Sequence, residues 1–327
     1  MADIARETGL TLGTVSRALN TEGKYAIAPE TRNRVTETAA RLGYRPNLIG
    51  KALAARSTGL ILLVSPDPFA SYYVEISRHL SAQAAQHGYS FVAGGTLPAG
   101  ERISIPADDW LYGVDGMVVC DCLPHQEAYI AEALRLQIPI VGLGVRDPFP
   151  TDFVKVDLFS ATWDLMTHLF DSGCHRLAML SSPGLEPHDP RLQAYREAVA
   201  ANHLDERLLV ARNQSRNSAR EVASAEYENN KFDGLFCEND LMAVGALRGL
   251  MDRRLQVPQD VRLAGCDGLE EALFQSIPIT TIVQPLERMC MIAWTMLQAR
   301  IDGAERPPRT ETVAAALEVR ASSVQGS

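Results

Sequence analysis

The chain of 327 residues is 46% hydrophobic and 22% charged, the balance of an ordinary globular protein, and it is too long for one simple core, so two or three units are expected. No run of eighteen apolar residues appears, which excludes a membrane-spanning helix, and six cysteines in this length point to reduced thiols and not to a disulfide framework. The net charge of −9 is uneven: residues 1–58 hold nine Lys or Arg against five Asp or Glu, a net +4, which leaves −13 for the rest, so a polyanion is repelled by the body and tolerated by the head.

The opening MADIARETG carries two acids by Glu7 and no apolar stretch. It does not read as a signal peptide, so a cytoplasmic location is expected. Residues 2–46 read as small helices. Asp3–Thr8 forms the first, with Ile4 and Ala5 inward, and Gly9 permits a tight turn. Thr11 suits the N-cap of a second, because its hydroxyl accepts a free backbone N–H; Val15, Ala18 and Leu19 then share one side. Pro29 takes a favourable first helical position. Val35, Ala39 and Leu42 form the stripe of a third helix, which Gly43 ends. Helix, glycine turn, helix and a third helix to close the core is the layout of a helix-turn-helix unit. The outer face of the second helix keeps Leu12, Gly13, Ser16, Arg17 and Asn20. It is small enough for a major groove, with Arg17 able to reach guanine or phosphate. The spacing alone fits a plain three-helix cap equally well.

The stretch RPNLIGKALAARST follows. Pro46 stops the third helix and pushes Arg45 toward extended geometry. Asn47 can cap a short helix, Leu48–Ala55, which Ser57, Thr58 and Gly59 break. So short a helix does not stand alone in water. The segment is either a flexible linker or it needs a partner: a second copy, DNA, or both.

Beyond Gly59 the pattern changes. LILLVS (60–65), SFVAGG (90–95), GVDGMVVC (113–120), IPIVGLG (138–144), RLAMLSS (176–182), FDGLFCEN (232–239) and VRLAGCDG (261–268) read as short buried strands. Helical segments lie between them: around Ala84, at AYIAEALRL, at Arg191–Asn202 and at LMAVGALRGLM (241–251). This alternation predicts α/β units with parallel sheets and right-handed crossovers. Roughly ten strands exceed what one doubly wound sheet usually holds, so two sheets with a cleft between them are expected.

Catalytic and metal motifs are lacking. Cys120, Asp121, Cys122 and His125 form a C-x-C-x-x-H set with no fourth ligand nearby, so no zinc site is expected. No nucleophile elbow or H-E-x-x-H occurs, and GLGVRDP (142–148) lacks the spacing of a phosphate loop. An enzyme would need such a motif; a solute-binding protein would need a signal peptide and no head. No cofactor is expected.

DIARETGLTLGTVSRALN, PETRNRVTETAARLGYRPN and LIGKALAARST together resemble the N-terminus of the LacI/GalR (lactose-repressor) family of transcriptional regulators. The likeness continues through SYYVEISRHLSAQAAQHGY, DGMVV, RLQAYREAV, CENDLMAVGALR, VPQDVRLAGCDG and TTIVQPLERM to LEVRASS, nearly the whole chain. It implies an all-α helix-turn-helix head, residues 1–46, a hinge helix, residues 47–58, and a core, residues 59–327. That core would consist of two doubly wound parallel-sheet subdomains of periplasmic-binding-protein type, residues 59–155 with 287–313 and residues 156–284 with 314–327.

By the same resemblance, Leu12, Gly13 and Arg17 take base-reading positions, and Thr11, Thr14, Ser16 and Asn20 contact the backbone or base edges. Gly13 has no side chain, which puts more weight on Arg17, Leu12 and DNA shape. Asn47 would begin a minor-groove helix in which Leu53 wedges between base pairs with Ala54 beside it. Two such helices, one per subunit, imply a homodimer on a palindromic operator. No heptad tail follows Val319, so no tetramer is expected. The resemblance also implies a repressor controlled by a small molecule bound in the cleft by Tyr72, Tyr73, Arg191, Asn239, Asp267 and Gln284. Asp240 has helix capping as its commoner role. A sugar is the expected effector, because carboxylate, amide and guanidinium groups bind hydroxyls and aromatics cover a sugar's apolar face; a purine or phosphorylated compound is the alternative. Gly144 stands where many members carry a cleft Asp, and nearby Arg146 points to a different polar group.

Overall fold

The computed structural model describes residues 1–19, 27–44, 57–95, 113–121, 127–145 and 149–324. Asn20, Asn47, Leu53, Ala54, Cys122, His125 and Arg146, and with them the expected hinge helix, lie outside the described residues. The chain divides into two compact units, residues 1–58 and 59–327.

The first unit holds α1 (Ala2–Thr8), α2 (Leu12–Leu19) and α3 (Pro29–Arg41). Gly9 ends α1 in the left-handed region, φ 66, and its N–H returns to the Ala5 carbonyl, a conformation that a residue without Cβ adopts at little cost. Ile4, Val15, Ala18, Val35 and Ala39 are buried together at the centre. Thr11 caps α2, its Oγ1 accepting the Thr14 N–H at 3.2 Å. At the other end of α2, Arg32 Nη1 donates to the Ala18 carbonyl at 2.9 Å, satisfying one of the acceptors a helix end leaves open. Arg41 pairs with Glu7 and ties α3 to α1.

Leu42 departs from the expected stripe: it is 39% exposed, and Thr38 takes the buried position instead. The helix stops at Arg41 and closes in a Schellman turn, with Gly43 N–H on the Ala40 carbonyl at 3.1 Å and Tyr44 N–H on the Ala39 carbonyl at 2.8 Å. That turn rotates Leu42 outward and brings Tyr44 against the core.

The second unit contains two six-stranded sheets. The first is built from β1 (Leu60–Ser65), β2 (Ser90–Gly95), β3 (Gly116–Cys120), β4 (Ile140–Gly144), β5 (Asp152–Asp157) and β11 (Thr310–Ala314) in the order β11-β5-β4-β3-β1-β2, all parallel. The second is built from β6 (Leu177–Ser181), β7 (Leu208–Val210), β8 (Gly234–Cys237), β9 (Arg262–Asp267), β10 (Thr280–Val283) and β12 (Ala316–Glu318) in the order β12-β10-β9-β8-β6-β7, parallel except for β12. The helices are α4 (Ser71–Gln86), α5 (Glu127–Arg135), α6 (Leu158–Asp171), α7 (Pro190–Ala201), α8 (Arg216–Asn230), α9 (Asp240–Asp252), α10 (Glu270–Leu273) and α11 (Leu286–Ile301).

Strands β3, β4, β6, β8 and β9 are buried along their length, as apolar runs covered by helices on both faces must be. The chain passes between lobes after β5, after β10 and between β11 and β12. Twelve described strands replace the roughly ten expected; the short β7 and β12 and the polar β11 lack an apolar run to announce them. Among the described residues no helix is long and apolar enough to cross a membrane.

Asp152 anchors the far end of the first sheet. Its buried carboxylate accepts from Arg300 Nε at 2.9 Å, Arg306 Nη2 at 2.8 Å and the Arg309 N–H at 2.9 Å. Burial works against the charge, but these donors outweigh it and hold the pKa at about 2. A depressed folded pKa means stability present above the unfolded value near 3.9 and lost as pH falls through the folded one. Asp152→Asn should therefore lower the melting temperature at pH 7, by a loss of about 3 kcal/mol, and the gap to the parent protein should close between pH 4 and about 2. Thermal denaturation across that range is the check.

Candidate functional site

Both sheets share one plan. Strand order reverses between β1 and β3 in the first and between β6 and β8 in the second, and in open parallel sheets ligands bind outside the carboxyl ends of the strands at such points. The residues just beyond these ends form a connected polar cluster. Asp121 follows β3 and Glu238 follows β8; Asp267 ends β9, and Gln284 follows β10.

Helix α4 supplies Tyr72 and Tyr73. The Tyr72 hydroxyl donates to Gln284 Oε1 at 3.0 Å, and Gln284 Nε2 donates to Asp267 Oδ1 at 2.9 Å. The chain of bonds therefore runs from the first lobe to the end of a strand in the second. The Tyr73 hydroxyl donates to Asp121 Oδ2 at 3.1 Å. Burial, and after it the charges of Asp121 and Asp267, push both phenols well above their ordinary range, so they remain donors. Tyr72 is also part of the core, its ring buried beside Ile76 and Leu80.

Arg191 enters from the first turn of α7. Asp189 caps that helix through the Arg191 N–H and also grips the guanidinium, with Nε on Oδ1 at 2.9 Å and Nη2 on Oδ2 at 2.8 Å. The remaining nitrogen, Nη1, donates to the Glu238 carbonyl at 2.8 Å. Burial disfavours the Arg191 charge, yet the charge and hydrogen bonds of Asp189 outweigh it and raise the pKa well above its ordinary value. Arg191 in turn opposes the burial that raises Asp121 and Asp267. The Glu238 carboxylate accepts from the Ser182 N–H at 2.6 Å and from Gln214 Nε2 at 2.7 Å.

Asn239, and not Asp240, caps the helix that follows them. Asn239 is the N-cap of α9, its Oδ1 accepting the Met242 N–H at 2.9 Å. Asp240 does not cap the helix. It is fully buried and accepts from Gly268 N–H at 2.8 Å, Leu269 N–H at 2.7 Å and Thr281 Oγ1 at 2.6 Å. Burial pushes its pKa up to about 6. Its grip on the turn after β9 fixes the neighbouring Asp267, whose φ of 126 lies in a region that L-residues rarely adopt.

Tyr72, Tyr73, Arg191, Asp267 and Gln284 are thus brought together. Asp121, Glu238 and Asp189 join them without having been expected. Asp121 and Glu238 lie directly after strands, the position that sheet topology marks for ligands. Asp189 was hidden because an Asp before Pro190 reads fully as a helix cap. Among the described residues no group of His, Cys, Asp and Glu is arranged to hold a metal.

In the first unit, Thr11, Leu12, Gly13, Ser16 and Arg17 are exposed on α2, with Leu12 54% exposed, and Thr14 is half-buried. The Thr11 and Thr14 hydroxyls are bonded to each other at 2.9 Å. A polar, exposed helix face in the first unit and a polar cluster at the strand ends of the second fit a DNA-binding transcriptional regulator controlled by a small molecule.

Residues 1–47 match the family of bacterial regulatory proteins of the lacI type, and residues 166–323 match the periplasmic binding protein-like domain. Catabolite control protein A of Priestia megaterium is 28% identical, with 90% of each chain covered. The lac repressor dimer bound to operator superposes with a TM-score of 0.81 at 23% identity, covering 99% of this chain and 98% of that one. The transcriptional regulator CelR in complex with cellobiose superposes with a TM-score of 0.70 at 25% identity, with 98% of each chain covered. The chain thus joins a DNA-binding domain of the lacI type to a periplasmic binding protein-like domain, and it is similar to bacterial transcriptional regulators over nearly its whole length.

Removing Arg191 leaves the carboxylates around it without their cation. Arg191→Ala should lower the melting temperature, and the deficit should be larger at pH 8 than at pH 5.5. Asp121 and Asp267 have raised pKa values, so lowering the pH removes part of the negative charge that Arg191 offsets, while Asp189, held below its ordinary range, stays charged. Thermal unfolding of both proteins at the two pH values tests this.

Proposed function

We propose that this regulator is a repressor that acts in the cytoplasm as a homodimer on a palindromic operator, released or engaged by a sugar bound in the cleft between the two lobes. The observation that carries the sugar reading is the chain from Tyr72 through Gln284 to Asp267, with Arg191 beside it. It ends in a carboxylate, amides and phenols that match adjacent hydroxyls. The complex of CelR with cellobiose supports the same class of ligand.

On the DNA side, Leu12 and Arg17 read bases, with Gly13 at a base-reading position that has no side chain, while Thr11, Thr14, Ser16 and Asn20 set the register. Asn47 opens the hinge, and Leu53, with Ala54 beside it, enters the minor groove. Residues 1–46, 47–58 and 59–327 serve as head, hinge and core. Effector binding changes the closure of the lobes, and through the pairing of the subunits it changes whether the hinge helices form on DNA.

Selection of binding sites from random duplex DNA should return a motif with two-fold symmetry. Arg17→Ala should lose about tenfold or more on that motif while binding random DNA nearly as before, since a guanine contact is worth about 1–3 kcal/mol of discrimination. A motif without symmetry, or an equal loss on both DNAs, would remove the operator reading.

A further inference from the structure

Gly59 is the first residue of the second unit and directly follows the segment read as the hinge, residues 47–58. Its backbone is left-handed, φ 69, with open space where a Cβ would be, so the chain turns here before it enters β1. Three bonds hold the turn. The Gly59 N–H donates to Asp115 Oδ2 at 2.8 Å. The Gly59 carbonyl accepts from the Ser90 N–H at 2.7 Å, and the Leu60 carbonyl accepts from the Asp115 N–H at 2.8 Å. The two backbone bonds continue the ladders that pair β1 with β2 and β3. The side-chain bond is additional. It holds the amide of the Thr58–Gly59 peptide, where the hinge segment joins the core, to a residue 56 positions along the chain.

Asp115 is itself firmly placed. It precedes β3, and the next residue, Gly116, is pressed against α11: a Cβ there would stand 3.0 Å from Leu297 Cδ1 and 3.2 Å from Ile301 Cδ1. Strand β3 is buried along its whole length. Just past its far end lies Asp121, bonded to the Tyr73 hydroxyl. One buried strand therefore has the anchor of the turn at its start and a cleft acid at its end.

We propose that Asp115 is a positioning residue for operator binding: by fixing the Thr58–Gly59 peptide it sets the point from which the hinge segment of each subunit starts. A segment that starts from a fixed peptide loses less conformational freedom when it orders on DNA, so more of its contact energy remains as affinity. The role in DNA binding rests on the hinge reading proposed above; the anchor itself does not.

The test has two arms, both on the full chain, and compares Asp115→Ala with Asp115→Asn. Asp115 is half-buried, so alanine leaves the core intact. Both changes remove one negative charge, which by itself favours DNA, but the asparagine oxygen still accepts the Gly59 N–H. The first arm needs no DNA. Hydrogen exchange is followed by mass spectrometry on peptides that cover residues 57–62. One amide should exchange ~10-fold faster in Asp115→Ala and near the parent rate in Asp115→Asn; equal protection in all three proteins overturns the anchor. The second arm measures affinity for the symmetric duplex that the parent selects and for random duplex. Asp115→Ala should lose ~10-fold on the selected duplex and change less than ~2-fold on random duplex, while Asp115→Asn keeps the parent affinity. A merely structural defect would lower the active fraction on both duplexes alike. An equal loss on both, or unchanged affinity for the selected duplex, overturns the positioning role. A confirmed anchor in a parent protein that selects no symmetric duplex overturns the operator reading and the positioning role with it, and leaves the anchor as a bond of the fold.

Discussion

Arg191 lies where two parallel sheets bring their strand ends together, and the cleft depends on its charge. Four carboxylates crowd this region, and burial pushes the cleft acids Asp121 and Asp267 toward their neutral forms. Arg191 opposes that tendency for both, and it stays ionised because Asp189 holds its fork. The pair is nearly buried, with side-chain exposures of 13% and 8%. Such a pair contributes little net stability by itself. Its effect here is to oppose the loss of charge that burial imposes on Asp121 and Asp267.

The scaffold explains why these groups meet. Each lobe repeats one strand order, so each has its reversal point at the same end. The chain passes between the lobes three times, and a residue at the second passage takes part in holding the ends. Gln284, at the passage after β10, receives Tyr72 from the first lobe and donates to Asp267 of the second. Asp240 fixes the turn that carries Asp267. A ligand that enters this network must exchange bonds with it, and it can shift the balance between lobe arrangements only through such differential contacts.

Much of the fold was legible in the sequence because its signals are local. Thr11 before an apolar i, i+3, i+4 pattern places α2, and the runs LILLVS and GMVVC, apolar at every position, place strands buried on both faces. The polar edge strand β11 and the three-residue β7 and β12 carry no such signal, since pairing with neighbours makes them strands. Leu42 matched the helical period but fell in the closing turn, and backbone geometry decided its exposure. In the site, Arg191, Asp267, Gln284 and the two tyrosines were marked by resemblance. Asp121 was not, because it fills the space that Gly144 leaves beside it, and that contact joins two strands and is visible only when β3 and β4 lie side by side. Asn239 and Asp240 are adjacent polar residues before a helix, and which of them caps it is set by Gly268, Leu269 and Thr281, far along the chain.

The central claim is that cleft and DNA-binding head are energetically coupled. Coupling of this kind is reciprocal: the factor by which a ligand changes DNA affinity equals the factor by which DNA changes ligand affinity. The direct measurement is a thermodynamic square on the full chain. Operator affinity is measured with and without saturating sugar, and sugar affinity with and without saturating operator. The account predicts one common factor, on the order of 5–150-fold, in both directions. Operator affinity that is unchanged at saturating sugar would contradict it.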